Sequence, residues 1–229
     1  MNNTHHDDEA DRDAPDGESA EHGHAGGEEG GDHGHDDGHD HGAEADEHLH
    51  EVPFAEQVLA FRRGKDEFFR SADQSPIPHE QRHHYPGLQY FAPDERFRIE
   101  GLRLAPDPDP TNTTEIVTSD GKTREAWRVG TLEFDVPGGH AQLAAYAFEP
   151  GPVEELFIPF RDATSGPETY GAGRYLDLEP EEDGSYALDF NIAYNPWCAY
   201  APQYSCPLPP RENWLTFPIP AGEKTPLES

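Results

Sequence analysis

Beyond Gly87 the apolar residues stop recurring every three or four positions and begin to alternate with polar ones, a pattern that persists to Ile219. Side chains along a strand point to opposite faces in turn, so such runs fold with one face buried and the other wet. LQYF (88–91) and FRIEGLRL (97–104) flank the Pro93-Asp94 turn, and the runs 114–118 and 123–136 flank Ser119-Asp120-Gly121, a strong hairpin signal. Within 123–136, Leu132, Phe134 and Val136 alternate with Thr131, Glu133 and Asp135. Pro137-Gly138-Gly139 then turns the chain into QLAAYAF (142–148), and Leu156, Ile158 and Phe160 share one face. RYLDL (174–178), YALDFNIAY (186–194) and WLTFPI (214–219) complete the series. The pattern predicts a mainly β fold, an antiparallel meander of about eight or nine strands closed into a barrel or stacked as a two-sheet sandwich, with the barrel preferred.

One amphipathic helix precedes the meander. In FAEQVLAFRRGKDEFFR the positions Phe54, Val58, Phe61, Lys65 (through its stem) and Phe68 follow spacings of three and four, with Leu59 and Phe69 widening the stripe. Ser75-Pro76 and Pro78 end it. Upstream the composition breaks abruptly at Val52. Residues 1–50 hold ten His among Gly, Asp and Glu, and almost nothing apolar before Leu49. A segment like this cannot bury enough surface to offset its ordering entropy and is expected to be disordered. Residues 51–229 form a single β-rich domain in this reading, long enough for a real core.

Charge excludes several classes of function. The chain carries 47 acids and 16 bases, a net of -31, and residues 1–50 account for only -16 of it, with Arg12 their single base. The rest is as unbalanced, and its bases are Arg except for Lys65, Lys122 and Lys224. An acid-rich, lysine-poor surface suits a halophilic protein, because self-repulsion is screened once the Debye length falls to roughly 3 Å at 1 M salt. Nucleic-acid binding needs a basic footprint, which is missing here. No apolar run approaches the roughly 20 residues of a membrane span. MNNTHHDDEADRD has neither the basic nor the apolar region of a secretory signal, so a cytoplasmic location is expected.

The segment 160–224 holds more hydrogen-bonding chemistry than a plain sheet requires. It reads FRDATSGPETYGAGRYLDL, then LDFNIAYNPWCAYAPQYSCPLPPRENWL, then IPAGEK. At these motifs, and at KDEFF (65–69) and GLQYF (87–91), the chain resembles an uncharacterised prokaryotic family, domain-of-unknown-function family number 1684. That resemblance covers most of residues 52–229 and implies no reaction, since the family has none established. The histidine-rich tail lies outside its pattern.

Read by themselves, the residues leave alternatives open. On a strand, Asp189 and Asn191 stand roughly 6.6 Å apart on one face, close enough to grip one small ligand, with Ala187 and Ala193 leaving room. The same pair also fits a solvated outer face. Arg161, Asp162, Glu168, Tyr170 and Arg174 sit in a loop punctuated by Gly166, Gly171 and Gly173. Arg174 offers a planar fork for a carboxylate or phosphate, or else for an internal partner such as Glu168 or Asp162. Tyr194 and Asn195 follow the strand pair, and Glu212 and Asn213 are held after the extended Pro207, Pro209 and Pro210.

Cys198 and Cys206 are separated by seven residues, which excludes a CxxC knuckle, and two thiolates do not complete a zinc site. Paired thiols or a structural disulfide, a metal or redox role, and a nucleophile served by His79, His83, His84 or His140 all stay open. In the tail His22, His24, His33, His35, His39 and His41 stand beside acids and are able to bind Zn, Ni or Cu loosely.

Three functions compete. A binding module would hold a small polar or anionic molecule through Arg161, Arg174, Asp189, Asn191 and Tyr194. A hydrolase-like enzyme would use Glu168 or Asp189 as general base, with Arg174 steadying negative charge. No GxSxG, HExxH, P-loop or Rossmann signature supports the enzyme. A structural or interaction protein is the third, and the polar density of 160–213 weighs against it.

Overall fold

The computed structural model describes residues 52–227 except 110 and 112. The expected disordered, metal-binding tail, with its six candidate histidines, lies outside the described residues. Helix α1 spans Phe54–Ser71, begins after Pro53, and places Glu56 in its first turn and Arg70 in its last, each complementing the helix dipole. The Ser71 and Ser75 hydroxyls close its end by donating to the carbonyls of Glu67 and Phe69 at 2.8 and 2.6 Å.

The buried face of α1 is not the one its phenylalanines suggest. Val58, Arg62 and Phe69 are buried, whereas Leu59, Phe61 and Phe68 are exposed. Arg62 decides the rotation. Its guanidinium donates to the carbonyls of Phe91 (2.7 Å) and Asn191 (2.9 Å) and lies 4.4 Å over the Tyr90 ring. Asp66 accepts from the Leu88 amide at 2.7 Å and from the Tyr85 hydroxyl at 3.2 Å. The helix therefore docks through charged groups that satisfy loop backbone having no strand partner.

Eight strands follow among the described residues: β1 (Arg98–Leu102), β2 (Ala105–Pro106), β3 (Thr113–Val117), β4 (Thr123–Val136), β5 (Gly139–Ala147), β6 (Leu156–Phe160), β7 (Arg174–Leu178) and β8 (Tyr186–Asp189). They form two antiparallel sheets. One is β1 with β8; the other runs β2-β4-β5-β6-β7, with β3 also beside β4. Strand β4 keeps the expected alternation, burying Leu132 and Phe134 and exposing Glu133 and Asp135. Leu132, Leu143, Ile158, Phe160, Leu176, Leu188 and Phe190 are all fully buried in one core shared by both sheets. Each such side chain contributes about 2 kcal/mol by leaving water.

Two expected strands are not strands, and a third is cut short. Segment 88–91 makes a single bridge, Tyr90 to Glu223, and segment 214–219 makes one from Trp214 to Arg161. Beyond Asp189 the chain turns into a 3₁₀ helix at Phe190–Ile192, because the Asp189 carboxylate accepts the Asn191 amide at 2.8 Å. Tyr194 then pairs with Tyr175 of β7. Thus β8 joins β1 while the residues just after it join β7, and no continuous ladder closes a barrel among the described residues. No helix among them is long and apolar enough to cross a membrane.

Candidate ligand site

Most of the polar residues in 160–224 are built into the interior. Arg174 has no exposed side-chain surface and pairs with Asp162 at 2.8 Å. Its guanidinium also donates to the carbonyls of Ile219 (2.9 Å), Glu223 (3.3 Å) and Ala221. Asp162 accepts in addition from the Thr164 amide and hydroxyl and from the Ile219 amide. Of the two roles open to Arg174, this geometry fits the internal one and leaves no face for a ligand.

The neighbouring candidates have similar duties. Asn191 donates to the Asp94 carbonyl (2.9 Å) and accepts the Asp94 amide (2.8 Å), while Asp189 accepts from its backbone and side chain. The ligand-gripping pair expected on a strand face is therefore a turn with its own cap. Asn213 ties β5 to β6, accepting the Ala144 amide at 2.7 Å and donating to the carbonyls of Ala144 and Pro159. Glu212 receives Arg128 and the Tyr146 hydroxyl. Tyr194 donates to Asp177, whose carboxyl is pushed up by burial. Arg161 lies 4.4 Å over the half-exposed Trp214 ring, and Glu168 is exposed. The hydrolase trio of Glu168, Asp189 and Arg174 is thus not assembled around a common opening.

Solvent reaches the motif somewhere else. A cavity of about 300 Å³ opens between the 3₁₀ helix His79–His84, the segment 85–89, the loop at Tyr170, the residues Ala199 and Tyr200, and 224–227. Ile77, Leu88 and Pro226 supply apolar wall, and Gln81, Gln89 and tyrosine edges supply hydrogen-bonding groups. Its floor is rigid. Tyr200 donates to Glu223 at 2.8 Å and packs edge-on against Phe69 at 5.0 Å. Glu223, 1 % exposed, also accepts the Asn195 amide at 2.8 Å. Lys65 Nζ lies 2.6 Å from the other Glu223 oxygen, an ion pair whose angle departs from hydrogen-bond geometry. Burial raises the Tyr85 and Tyr200 hydroxyls well above their ordinary value, so both remain protonated donors to their carboxylates.

Sequence reasoning missed Glu223, Tyr200, Tyr85 and Gln81, and placed only the stem of Lys65. Nothing in AGEK marks its acid as buried; the one usable signal was Lys65 itself, on the helix stripe at the spacing of core positions. Of the proposed candidates, Tyr170 alone lines the cavity, and its hydroxyl donates to Cys198 Sγ at 3.9 Å. Cys198 and Cys206 are both free thiols, and the Cys198 amide donates to Cys206 Sγ at 3.3 Å. No group of three His, Cys, Asp or Glu suited to a metal occurs among the described residues.

Comparison with known proteins agrees with the fold and stops short of a function. The family model described as "Protein of unknown function (DUF1684)" matches residues 83–224. The solution NMR structure of an uncharacterized protein from Haloarcula marismortui is 43 % identical, with a TM-score of 0.59, and the match covers 76 % of this chain and 95 % of that one. No curated protein matches the chain.

Proposed function

The chain belongs to the DUF1684 family of proteins of unknown function, and from the cavity geometry we propose that its β domain binds a small amphipathic molecule. The observation that carries this reading is the contrast between two kinds of polar group. Arg174, Asp162, Asn191 and Asn213 are enclosed and partnered, whereas the cavity at Tyr170 and Tyr200 is open and of ligand size. Its walls suit an apolar body of about six to eight heavy atoms, and the Gln81 and Gln89 amides suit a polar or anionic head. Pre-set tyrosines lower the ordering penalty of binding, since Tyr85 and Tyr200 are already fixed by Asp66 and Glu223. The acid excess in both parts of the chain supports a surface adapted to molar salt, so binding is best measured there.

Hexanoate, benzoate and p-cresol serve as probes, read by saturation-transfer NMR with the full chain. At least one is expected to bind with a Kd of about 1 mM or below, and Ala199→Trp, which fills the cavity, to weaken it about tenfold or more. Unchanged affinity in a variant shown to be folded by its denaturation midpoint, or no binding by any probe, would count against the site.

A further inference from the structure

We propose that Cys198 and Cys206 form a redox-active dithiol that exchanges with low-molecular-weight disulfides, and that its oxidation loosens the Tyr170 wall of the cavity. The first part stands on the sulfur site alone; the second rests on the cavity being the binding site.

Two separate elements bring the sulfurs together. Cys198 lies in the 3₁₀ helix Trp197–Ala199, which follows Pro196. Cys206 is clamped to the β3–β4 turn: its carbonyl accepts the Ser119 amide at 2.8 Å and its own amide donates to Ser119 Oγ at 3.0 Å. Ser205 reinforces the clamp by donating to Asp120 at 2.7 Å. The two cysteines differ in access, Cys198 being half-exposed and Cys206 buried.

Their surroundings divide the labour. The Cys206 side chain, whose sulfur accepts the Cys198 amide at 3.3 Å, and the Tyr170 hydroxyl, which donates to Cys198 Sγ at 3.9 Å, surround the Cys198 thiol. Chiefly through the Cys206 contact, and against burial, they hold the Cys198 thiol down to about 6. The same contact, with burial, pushes the Cys206 thiol up. An accessible thiolate therefore faces a buried, protonated partner. With no third metal-ligating side chain grouped with them among the described residues, exchange is the chemistry this pair is arranged for.

The steps balance. Cys198 S⁻ attacks one sulfur of R–S–S–R; an S–S bond forms to residue 198 and RS⁻ leaves, taking a proton from solvent. The Cys206 thiol, no longer bonded to a thiolate, gives its proton to water and attacks the Cys198 sulfur. The second RS⁻ leaves and is protonated in turn. Two electrons pass from the dithiol to the small disulfide, which becomes two thiols. The Tyr170 hydroxyl thereby loses its charged acceptor, and Tyr170 and Ala199 both line the cavity.

The test uses the folded full chain, glutathione disulfide as oxidant, and intact-mass measurement after acid quench. Wild type is expected to lose two hydrogens and retain no glutathione. Cys206→Ser is expected to trap one glutathione on residue 198, and Cys198→Ser to leave Cys206 unmodified until the protein unfolds. Modification of Cys206 in Cys198→Ser as fast as that of Cys198 in Cys206→Ser, or no reaction of the folded wild type, overturns the dithiol, and neither result bears on hexanoate binding. If the disulfide forms, probe affinity is expected to fall about tenfold. Unaltered affinity overturns the coupling while the dithiol stands, and absence of probe binding by the reduced protein overturns it together with the cavity reading.

Discussion

Arg174→Ala is expected to destabilise the domain by about 4 kcal/mol, with no separable effect on ligand affinity. The guanidinium has no exposed surface. Removing it strips Asp162 of its counter-charge and leaves the carbonyls of Ile219, Ala221 and Glu223 without this donor. The unpaired buried carboxylate carries most of the penalty, since the Ile219 carbonyl keeps a second donor in the Ala221 amide. Asp162→Asn keeps the shape, loses the charge, and is expected to be the milder change. Denaturant titration in molar salt gives both values. A folded Arg174→Ala protein with the wild-type midpoint would remove the strut from this account.

Gly222→Ala comes second, at about 3 kcal/mol or more. Gly222 sits at φ +75°, and an added Cβ would stand 2.6 Å from the Phe190 carbonyl oxygen and 2.7 Å from that of Ala193. Neither oxygen is free to yield, because both belong to backbone around the core. The strain falls next to Glu223, which holds Lys65, Asn195 and Tyr200 in place under the cavity. Gly173 meets a similar restriction, at φ +106° with the Phe160 oxygen 2.6 Å from a would-be Cβ. Gly171 is the control, since its nearest neighbour is an ordinary 3.8 Å away. Gly171→Ala is expected to change stability by less than about 1 kcal/mol. Comparable losses at 171 and 222 would show that backbone crowding is not the cause.

These two residues also show what could be read in advance. The meander was legible where alternation and turn agreed, as in β4 and β5 around the Pro137-Gly138-Gly139 turn. It failed at YALDFNIAY, whose perfect alternation continues through a segment that Asp189 bends with a single side-chain bond. The helix carried two stripes of equal spacing. One runs through Phe54, Val58, Phe61, Lys65 and Phe68, the other through Val58, Arg62, Lys65 and Phe69. Hydrophobicity favoured the first, and the loop carbonyls that Arg62 satisfies selected the second.

The density of Arg, Asn and Asp pointed to a ligand for an understandable reason. A fold with many residues outside its ladders exposes many backbone groups internally, and those groups need side-chain partners much as a ligand would. Spacing alone does not separate the two demands. The cavity was illegible for another reason: its walls come from segments near 77–89, 170, 199–200 and 224–227, which lie far apart in the sequence.

The measurement that bears most directly on this division is a ¹H–¹⁵N shift map of the full chain in molar salt, titrated with the tightest of the three probes. Shifts are expected to concentrate at Gln81, Gly87, Gln89, Tyr170, Tyr200 and Thr225, with Arg174, Asp189 and Asn191 unmoved. Shifts centred on Arg174, Asp189 and Asn191, with the cavity silent, would contradict this and restore the buried motif as the binding site.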